Sequence, residues 1–382
     1  MFTHTEELPL ALTCDDIQLV PGYSIVRSRS EDVKLHPYIY SAPMDRVSGY
    51  EMCEALLAAG EMAVLSRGLP VVPTAGQEQP DSEWECAVRD FASHPNFWIA
   101  VPGQIDQLKD MMGKLVDLKL DKENLNPNGW NFAVDIAVGH GLVADEAYEY
   151  LKMVNPLGGL MSGSIATSQA AIHCVNKGCT HLRVGVGPGS MCITRKVTGF
   201  GIPQWSTVRD IHAALNRIHP DSTYSKRKNT IIIADGGIRD TDDVAKLLAA
   251  GADAVMMGSV FSKCKESPGW QHVQKQLDLS GGSFRPGRNQ YQMIKRYRGH
   301  ASADFQTDNG KRVDAPEGVS TTLIWEGDTV ETTLARHRAA LRSAISYSGV
   351  SSLKDFGPNT VVACRVTQAG LEEATPHGVI NG

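Results

Sequence analysis

Short apolar runs recur along the chain, and most are followed by a stretch whose apolar positions return every three to four residues. The runs Tyr38–Ser41, Met62–Leu65, Phe97–Val101, Asn131–Asp135, Gly159–Ser162, His181–Gly185, Thr230–Ala234 and Ala254–Met257 read as strands. Between them, Gly49–Ala59, Ile105–Leu118, Val143–Val154, Ser168–Lys177, Thr207–Ile218 and Thr241–Ala250 carry helical spacing. Eight strands in steady alternation with helices predict an α/β fold, a closed (β/α)8 TIM barrel rather than an open doubly wound sheet. The unusual residues fall where that fold would use them. Asp45, Asp135, Cys192, Asp235 and Gly258-Ser259 all lie at or just past the C-terminal end of a predicted strand. A barrel gathers its active-site groups on that face, from loops far apart in sequence.

Two stretches break the rhythm. Residues 69–94 form a longer connection with a predicted helix at its end. Residues 262–328 are rich in Gly, Pro, Arg and Asp and precede a predicted helix at Thr329–Ser346. A connection of that length without a core of its own is a functional lid or a disordered insert. Gly281-Gly282, Lys295-Arg296-Tyr297-Arg298-Gly299 and Pro316-Glu317-Gly318 favour the lid. The chain, residues 1–382, is thus expected to be one barrel domain, with neither internal repeats nor low-complexity segments.

Composition narrows the class without naming a function. The chain is 42% hydrophobic and 21% charged, an ordinary soluble balance. A net charge of −6, with no basic run interleaved with aromatics, argues against nucleic acid as a partner. The first residues carry acids where a signal peptide would carry bases, and no apolar run approaches membrane-spanning length. Eight cysteines are scattered without paired or zinc-like spacing, as free thiols in a reducing cytosol would be. The expectation is a cytoplasmic protein with no membrane partner.

Chemistry concentrates in Gly185-Val186-Gly187-Pro188-Gly189-Ser190-Met191-Cys192-Ile193-Thr194-Arg195. Its glycines let backbone N–H and C=O groups turn inward to hold a phosphate or a cation. Cys192 on such a loop, flanked by Ser190 and Thr194, is placed to attack a bound ring; the bland alternative is a small buried hydrophobe. Two further sites can offer free backbone donors, Asp235-Gly236-Gly237 after the seventh strand and Gly258-Ser259 after the eighth. With Ser190 they form a predicted phosphate cup, the position many barrels use. Asp235 has the reach to accept both hydroxyls of a sugar. A phosphate, a ribose and a thiol on one face imply a nucleotide whose base lies against Cys192. A thiolate that attacks an electron-poor ring carbon needs a nearby proton carrier. Thr194 and Glu317 are the candidates, Glu317 arriving only when the lid closes.

These residues also resemble a known family. The run Gly185–Arg195, continued by Thr198-Gly199-Phe200-Gly201-Ile202-Pro203-Gln204, is similar to the active-site loop of the IMP dehydrogenase/GMP reductase family. Leu12–Pro21, Ala42-Pro43-Met44-Asp45, Asp235–Arg239, Met257-Gly258-Ser259 and Tyr297-Arg298-Gly299 resemble other elements of it, so the likeness covers nearly the whole chain. The resemblance implies a phosphate held by Ser190, Gly237, Gly258, Ser259 and Tyr297, with Gly299 beside them, and ribose hydroxyls on Asp235. It implies a covalent adduct of Cys192 at purine C2, with Met44 and Arg183 lining the purine pocket. Asp135 would meet the nicotinamide ribose, with Ala137 and Gly185 lining the cofactor site. Carbonyls of Gly187, Gly189 and Cys192 would hold potassium in those members that bind it. A homotetramer is the implied assembly.

Two branches share this loop. IMP dehydrogenases oxidise C2 with NAD and hydrolyse the adduct, whereas GMP reductases use NADPH and release ammonia. Four features resemble the reductase branch. No insert between the second and third strands is large enough for a tandem CBS pair. Ala303–Asn309 lacks the dehydrogenase Arg-Tyr pair, and Asp135–His140 resembles the reductase segment. Ser28–Glu31 and Arg365–Gln368 do likewise. Glu266–Gly269 and Gln306–Asn309 look more like dehydrogenase. The reductases' catalytic lysine aligns with Arg67, which hardly ever gives up a proton, and the family's Gly-Asn is Gly163-Ser164 here. The expected function is therefore GMP reductase-like. The alternatives are an IMP dehydrogenase, a divergent substrate such as a modified or deoxy purine nucleotide, and an inactive nucleotide-binding paralogue.

Overall fold

A two-stranded ribbon precedes and follows the central sheet in sequence: β1 (Ile17–Val20) pairs antiparallel with a strand near the C-terminus. The central sheet consists of β2 (Ile39–Ser41), β3 (Ala63–Leu65), β4 (Phe97–Val101), β5 (Phe132–Val134), β6 (Leu160–Ile165), β7 (His181–Val184), β8 (Ile231–Asp235) and β9 (Ala254–Met257). These eight are parallel, in the order β2-β9-β8-β7-β6-β5-β4-β3. A single parallel bridge between Tyr40 and Met62 joins the two ends, so the sheet is nearly closed into a barrel. The computed structural model describes residues 8–67, 69, 82–118, 129–218, 230–274, 291–310 and 312–374.

Helices α1 (Tyr50–Ala58), α2 (Glu83–Phe91), α3 (Ile105–Asp117), α4 (Leu142–Val154) and α5 (Ser168–Asn176) follow successive strands. After β7 come a short α6 (Thr194–Thr198) and α7 (Gln204–Ile218), then α8 (Thr241–Ala249) after β8 and α9 (Ser259–Ser262) after β9. Their starts are written in the sequence: Ser82 caps α2 and Asp240 caps α8, each in a reciprocal capping box. All eight predicted strands are present with ends shifted by no more than three residues, and α7 begins three residues before the predicted Thr207.

The apolar core has two compartments. Tyr40, Val64, Trp98, Ala133, Met161, Ile233 and Met256 fill the barrel interior, and their sequence neighbours on the same strands pack outward against the helices. Successive strand residues point to opposite faces, so an uninterrupted apolar run fills both compartments at once. His181 closes the interior edge-on to Trp98, with ring centroids 4.4 Å apart, and burial pushes its pKa down to about 3. It is therefore a neutral core residue.

The stretch after α9 differs from the sequence expectation. It does not lack structure of its own: β10 (Gln271–Gln274), β11 (Tyr291–Arg298) and β12 (Ser320–Ile324) form an antiparallel sheet, with α10 (Ala303–Asp308) between the last two. Alternation in β11 hides Lys295 and Tyr297 and leaves Arg296 more open, so the pattern is real but is carried by polar residues. Gly281-Gly282 and most of the 69–81 connection lie outside the described residues. The chain then returns through α11 (Val330–Ser348), β13 (Val362–Arg365), which is the partner of β1, and α12 (Gln368–Glu373).

One ion pair ties that return to the barrel. Glu61 is buried and accepts the backbone N–H groups of Tyr38 and Ile39 at 3.0 and 3.1 Å through Oε2. Its Oε1 takes Arg338 Nη2 of α11 at 2.6 Å. Removing the guanidinium leaves a carboxylate without its counter-charge at the start of β2. We expect Arg338→Met to cost about 2 kcal/mol, moderated by the partial exposure of Arg338. Urea unfolding should show a lower midpoint with an unchanged slope.

Candidate active site

Two adjoining cavities open at the C-terminal ends of the strands. The smaller encloses about 820 Å³ and is lined by Met44, Ser190, Cys192, Gly237, Gly258 and Tyr297, among others. The larger, about 1590 Å³, runs from Arg67, Ala137 and Gly185 to Thr194 and Glu317. Asp135, Arg183, Gly189, Cys192, Asp235 and His300 border both. The fold thus brings the site residues expected from the sequence around these two cavities, Asp45 excepted.

The smaller cavity has the form of a phosphate cup at one end. Gly236 and Gly237 have φ of 86° and 82°, a left-handed pair that turns successive N–H groups to one side. Gly258 and Ser259 supply the start of α9, and Tyr297 Oη lies 3.5 Å from Ser190 Oγ. Burial raises the Tyr297 pKa, so its hydroxyl stays protonated and can donate. Met44 lies beside the cup, its sulfur 4.0 Å from Tyr297 Oη.

Cys192 heads a short hydrogen-bonded chain. Its Sγ donates to Thr194 Oγ1 at 3.2 Å, and Thr194 Oγ1 donates to Glu317 Oε2 at 2.8 Å. The sequence reading had Glu317 arriving only on closure of a lid. Instead it is already docked: Ile193 N–H donates to Glu317 O at 2.8 Å, and Val319 N–H donates to Met191 O at 2.9 Å. These bonds flank an antiparallel bridge between Cys192 and Gly318. Gly318 allows this approach, because a Cβ there would sit 2.9 Å from Ser302 N. The loop itself is braced from below by Gln204, whose Nε2 donates to Val184 O at 2.6 Å and to Asp235 O at 3.2 Å.

Charge at the junction of the cavities is organised by Arg183. Nη1 meets Asp135 Oδ1 at 3.0 Å, and Nε and Nη2 meet Asp235 Oδ2 at 3.2 and 3.1 Å. Gly163 of β6 makes the room, since a Cβ there would be 2.9 Å from Arg183 Cδ. Asp135 also takes His300 Nδ1 at 3.2 Å and Arg67 Nε at 3.4 Å through Oδ2. Burial works to raise the Asp135 pKa, but the His300 hydrogen bond and the Arg183 and Arg67 charges outweigh it and hold the carboxyl well below its usual range. Among the described residues Asp235 has Arg183 as its one charge partner, and burial leaves its pKa raised. Its contacts with Arg183 both use Oδ2, so Oδ1 remains for a sugar hydroxyl.

Two expectations change in detail. Asp45 does not face either cavity; it is buried and paired with Arg298 of β11, Nη2 to Oδ2 at 2.9 Å, while Arg298 also bonds Asp308. Asp45 therefore anchors β11 and with it Tyr297. His300 was missed. It follows the recognised Tyr297-Arg298-Gly299 element, stacks on Phe305 at 4.4 Å, and borders both cavities. Only contact across 165 positions with Asp135 reveals it.

Gly189 and Cys192 share one tight turn, closed by Cys192 N–H donating to Gly189 O at 3.0 Å, and Gly187 precedes it on the same loop. Neutral backbone carbonyls of this kind are ligands suited to a monovalent cation. Among the described residues no cluster of His, Cys, Asp and Glu could hold a metal ion, and no helix is long and apolar enough to cross a membrane.

Comparison with known proteins agrees with this arrangement. Residues 11–377 match the family described as IMP dehydrogenase / GMP reductase domain. An inosine-5'-monophosphate dehydrogenase of Borreliella burgdorferi is 27% identical over 97% of this chain and 98% of its own length. Proteins of the same name from Chlorobaculum tepidum and Halalkalibacterium halodurans are 34% and 31% identical over 65% and 64% of the chain. For these two, the match spans 47% of the relative's length.

Behind the phosphate cup, Lys295 of β11 is buried, donating to Arg46 O at 2.8 Å and to Ser267 Oγ, with its ammonium 4.7 Å from the centre of the Trp270 ring. Burial lowers its pKa to about 7. The unfolded chain, with a lysine near its ordinary value, then binds more protons than the folded one from about pH 7 upward, so this residue makes stability rise with pH. The penalty of burying the ammonium is complete below pH 7 and fades toward the unfolded value. Between pH 7 and 9, urea unfolding of the wild type should gain stability relative to Lys295→Met by roughly 1 kcal/mol per pH unit. Parallel curves for the two proteins would refute a depressed lysine.

Proposed function

The chain belongs to the IMP dehydrogenase/GMP reductase family, oxidoreductases acting on purine nucleotides, and on that premise we propose that it reduces GMP to IMP and ammonia. The covalent step of this reading rests on the chain Cys192–Thr194–Glu317, hydrogen-bonded where the two cavities meet. Its reductive direction rests on the likeness of Asp135–His140 to the reductase segment and the lack of an Arg-Tyr pair in Ala303–Asn309. The phosphate lies in the cup of Ser190, Gly237, Gly258, Ser259 and Tyr297, with Gly299 beside it. The ribose hydroxyls go to Asp235, and the base rests between Met44, Arg183 and Cys192.

Cys192 Sγ adds to purine C2. Glu317, through Thr194 Oγ1, passes a proton toward the departing amine, so ammonia leaves and a C2–S bond remains. When bound in the larger cavity, the nicotinamide of NADPH supplies a hydride to C2. Breaking the C–S bond then returns the thiolate and completes IMP. Asp135, with Ala137 and Gly185, holds the cofactor side; because Asp135 already carries two guanidinium contacts and a hydrogen bond with His300, it orients rather than transfers protons. Arg67 keeps its charge in the contact with Asp135 and fixes that carboxylate, in place of a proton-cycling lysine.

The curated relatives favour a second reading, NAD-dependent oxidation of IMP to XMP, since all three carry the dehydrogenase name. The same Thr194–Glu317 pair would then take a proton from the water that attacks the adduct. Potassium at Gly187, Gly189 and Cys192, a homotetramer and a cytoplasmic setting complete the proposal.

Near-ultraviolet absorbance of reduced nicotinamide separates the readings. GMP with NADPH should lose signal and release ammonia, whereas gain with IMP and NAD, and silence with GMP, sinks the reductase assignment. Cys192→Ala should abolish turnover and retain nucleotide binding by calorimetry. Glu317→Gln should lower kcat about a hundredfold with little change in the nucleotide KM, as loss of a proton carrier does. An unchanged kcat would remove the relay from the mechanism.

A further inference from the structure

Phe200 stands on a braced turn at the rim of the larger cavity, yet its side chain is largely uncovered. Helix α6 ends at Gly199, with φ of 76°, and Gly201 follows with φ of 149°. Thr198 Oγ1 accepts the Phe200 N–H at 3.1 Å and itself donates to Thr194 O at 2.8 Å. Arg195 fills the space beside Gly201, where a Cβ would lie 2.5 Å from its Cγ, and its Nη2 donates to Ile202 O at 2.5 Å. A turn fixed at so many points presents the ring in one place. Phe200 is nevertheless 75% exposed, forgoing the burial that normally stabilises a phenylalanine.

The wall it stands on is continuous with the reacting end. Phe200 and Thr198 line the same cavity as Cys192, Thr194 and Asp135. Phe200 follows the end of α6, six residues beyond Thr194 of the relay. A nicotinamide ring at Cys192 fills only the inner end of that volume. The remainder of a dinucleotide has to extend outward, and its other base is a flat aromatic that gains by stacking. Val138, 62% exposed, adds apolar surface to the same cavity.

We infer that Phe200 is the stacking platform for the adenine of the dinucleotide cofactor, and so sets the preference for a dinucleotide over a nicotinamide mononucleotide. This rests on the proposed function only in requiring that a nicotinamide dinucleotide binds in this cavity; it holds for either direction of hydride transfer. A ring so exposed can be replaced without cost to the core, so the variants should fold.

The test measures binding as well as rate. Calorimetric titration of NADPH, NAD and ADP-ribose into the full chain saturated with GMP or IMP should show Phe200→Ala weakening each about tenfold. Phe200→Trp should retain affinity, and Phe200→Leu, apolar but not flat, should not. Turnover with reduced nicotinamide mononucleotide, which has no adenine, should be the same in wild type and Phe200→Ala. Equal ADP-ribose affinity in wild type and Phe200→Ala overturns the inference while leaving the proposed function intact. So does a drop in oligomeric state of Phe200→Ala by light scattering, which would make the ring a subunit contact. A wild type that binds no dinucleotide with either nucleotide present overturns both.

Discussion

A guanidinium buried between two carboxylates sets the geometry of this site. Arg183 comes from β7, Asp135 follows β5 and Asp235 ends β8, so one side chain fixes the spacing of three strand ends. A buried cation is tolerated only when its donors are met, and here burial, which alone would disfavour the charge, is outweighed by Asp235 and Asp135. The contact also depends on a missing side chain, that of Gly163. The two cavities meet at this junction, and Asp135, Arg183 and Asp235 border both. Loss of Arg183 would leave two carboxylates facing each other and would uncouple the cavities.

The thiol loop is held by a different kind of constraint. No strand of the central sheet includes Cys192; backbone pairing with residues 317–319 takes the place of a sheet neighbour. The same three residues deliver Glu317 to Thr194, so positioning the thiol and supplying its proton partner are one event. The segment that carries Glu317 is in turn anchored to the barrel through Arg298 and Asp45, and through Lys295 reaching Arg46 and Ser267. This order of dependence explains why polar residues rather than apolar ones alternate inward along β11. They tie the sheet to the barrel by hydrogen bonds and an ion pair.

The barrel was legible in the sequence because its strands are covered on both faces, and a run such as Phe97–Val101 is buried at every position. The strand-end residues were legible for the same reason, since ends of apolar runs are easy to locate. Among the described residues, the five strands of the two smaller sheets were not. Gln271–Val273 and Ser320–Ile324 are exposed or mixed, β1 with β13 bury little, and β11 buries polar residues, so no apolar run marks them. His300 and the role of Asp45 depend on contacts across 165 and 253 positions, and no local pattern in a single sequence encodes such pairs.

The direction of the proposed reaction turns on how protons move between the thiol, the ring carbon and the groups around them. Arg67 lies against a carboxylate that is held ionised, so neither partner in that contact can cycle a proton near neutrality. His300 has its Nδ1 committed to the same carboxylate, which fixes its tautomer. Its Nε2 is buried and has no partner among the described residues, while the Thr194 hydroxyl, hydrogen-bonded to both Cys192 and Glu317, is a path between the thiol and a carboxyl group. A path of this kind serves a departing amine and an attacking water equally well, because each exchanges a single proton at the same ring carbon. The choice between them therefore belongs to the hydride carrier and the nucleotide bound, and not to the thiol loop that both reactions share.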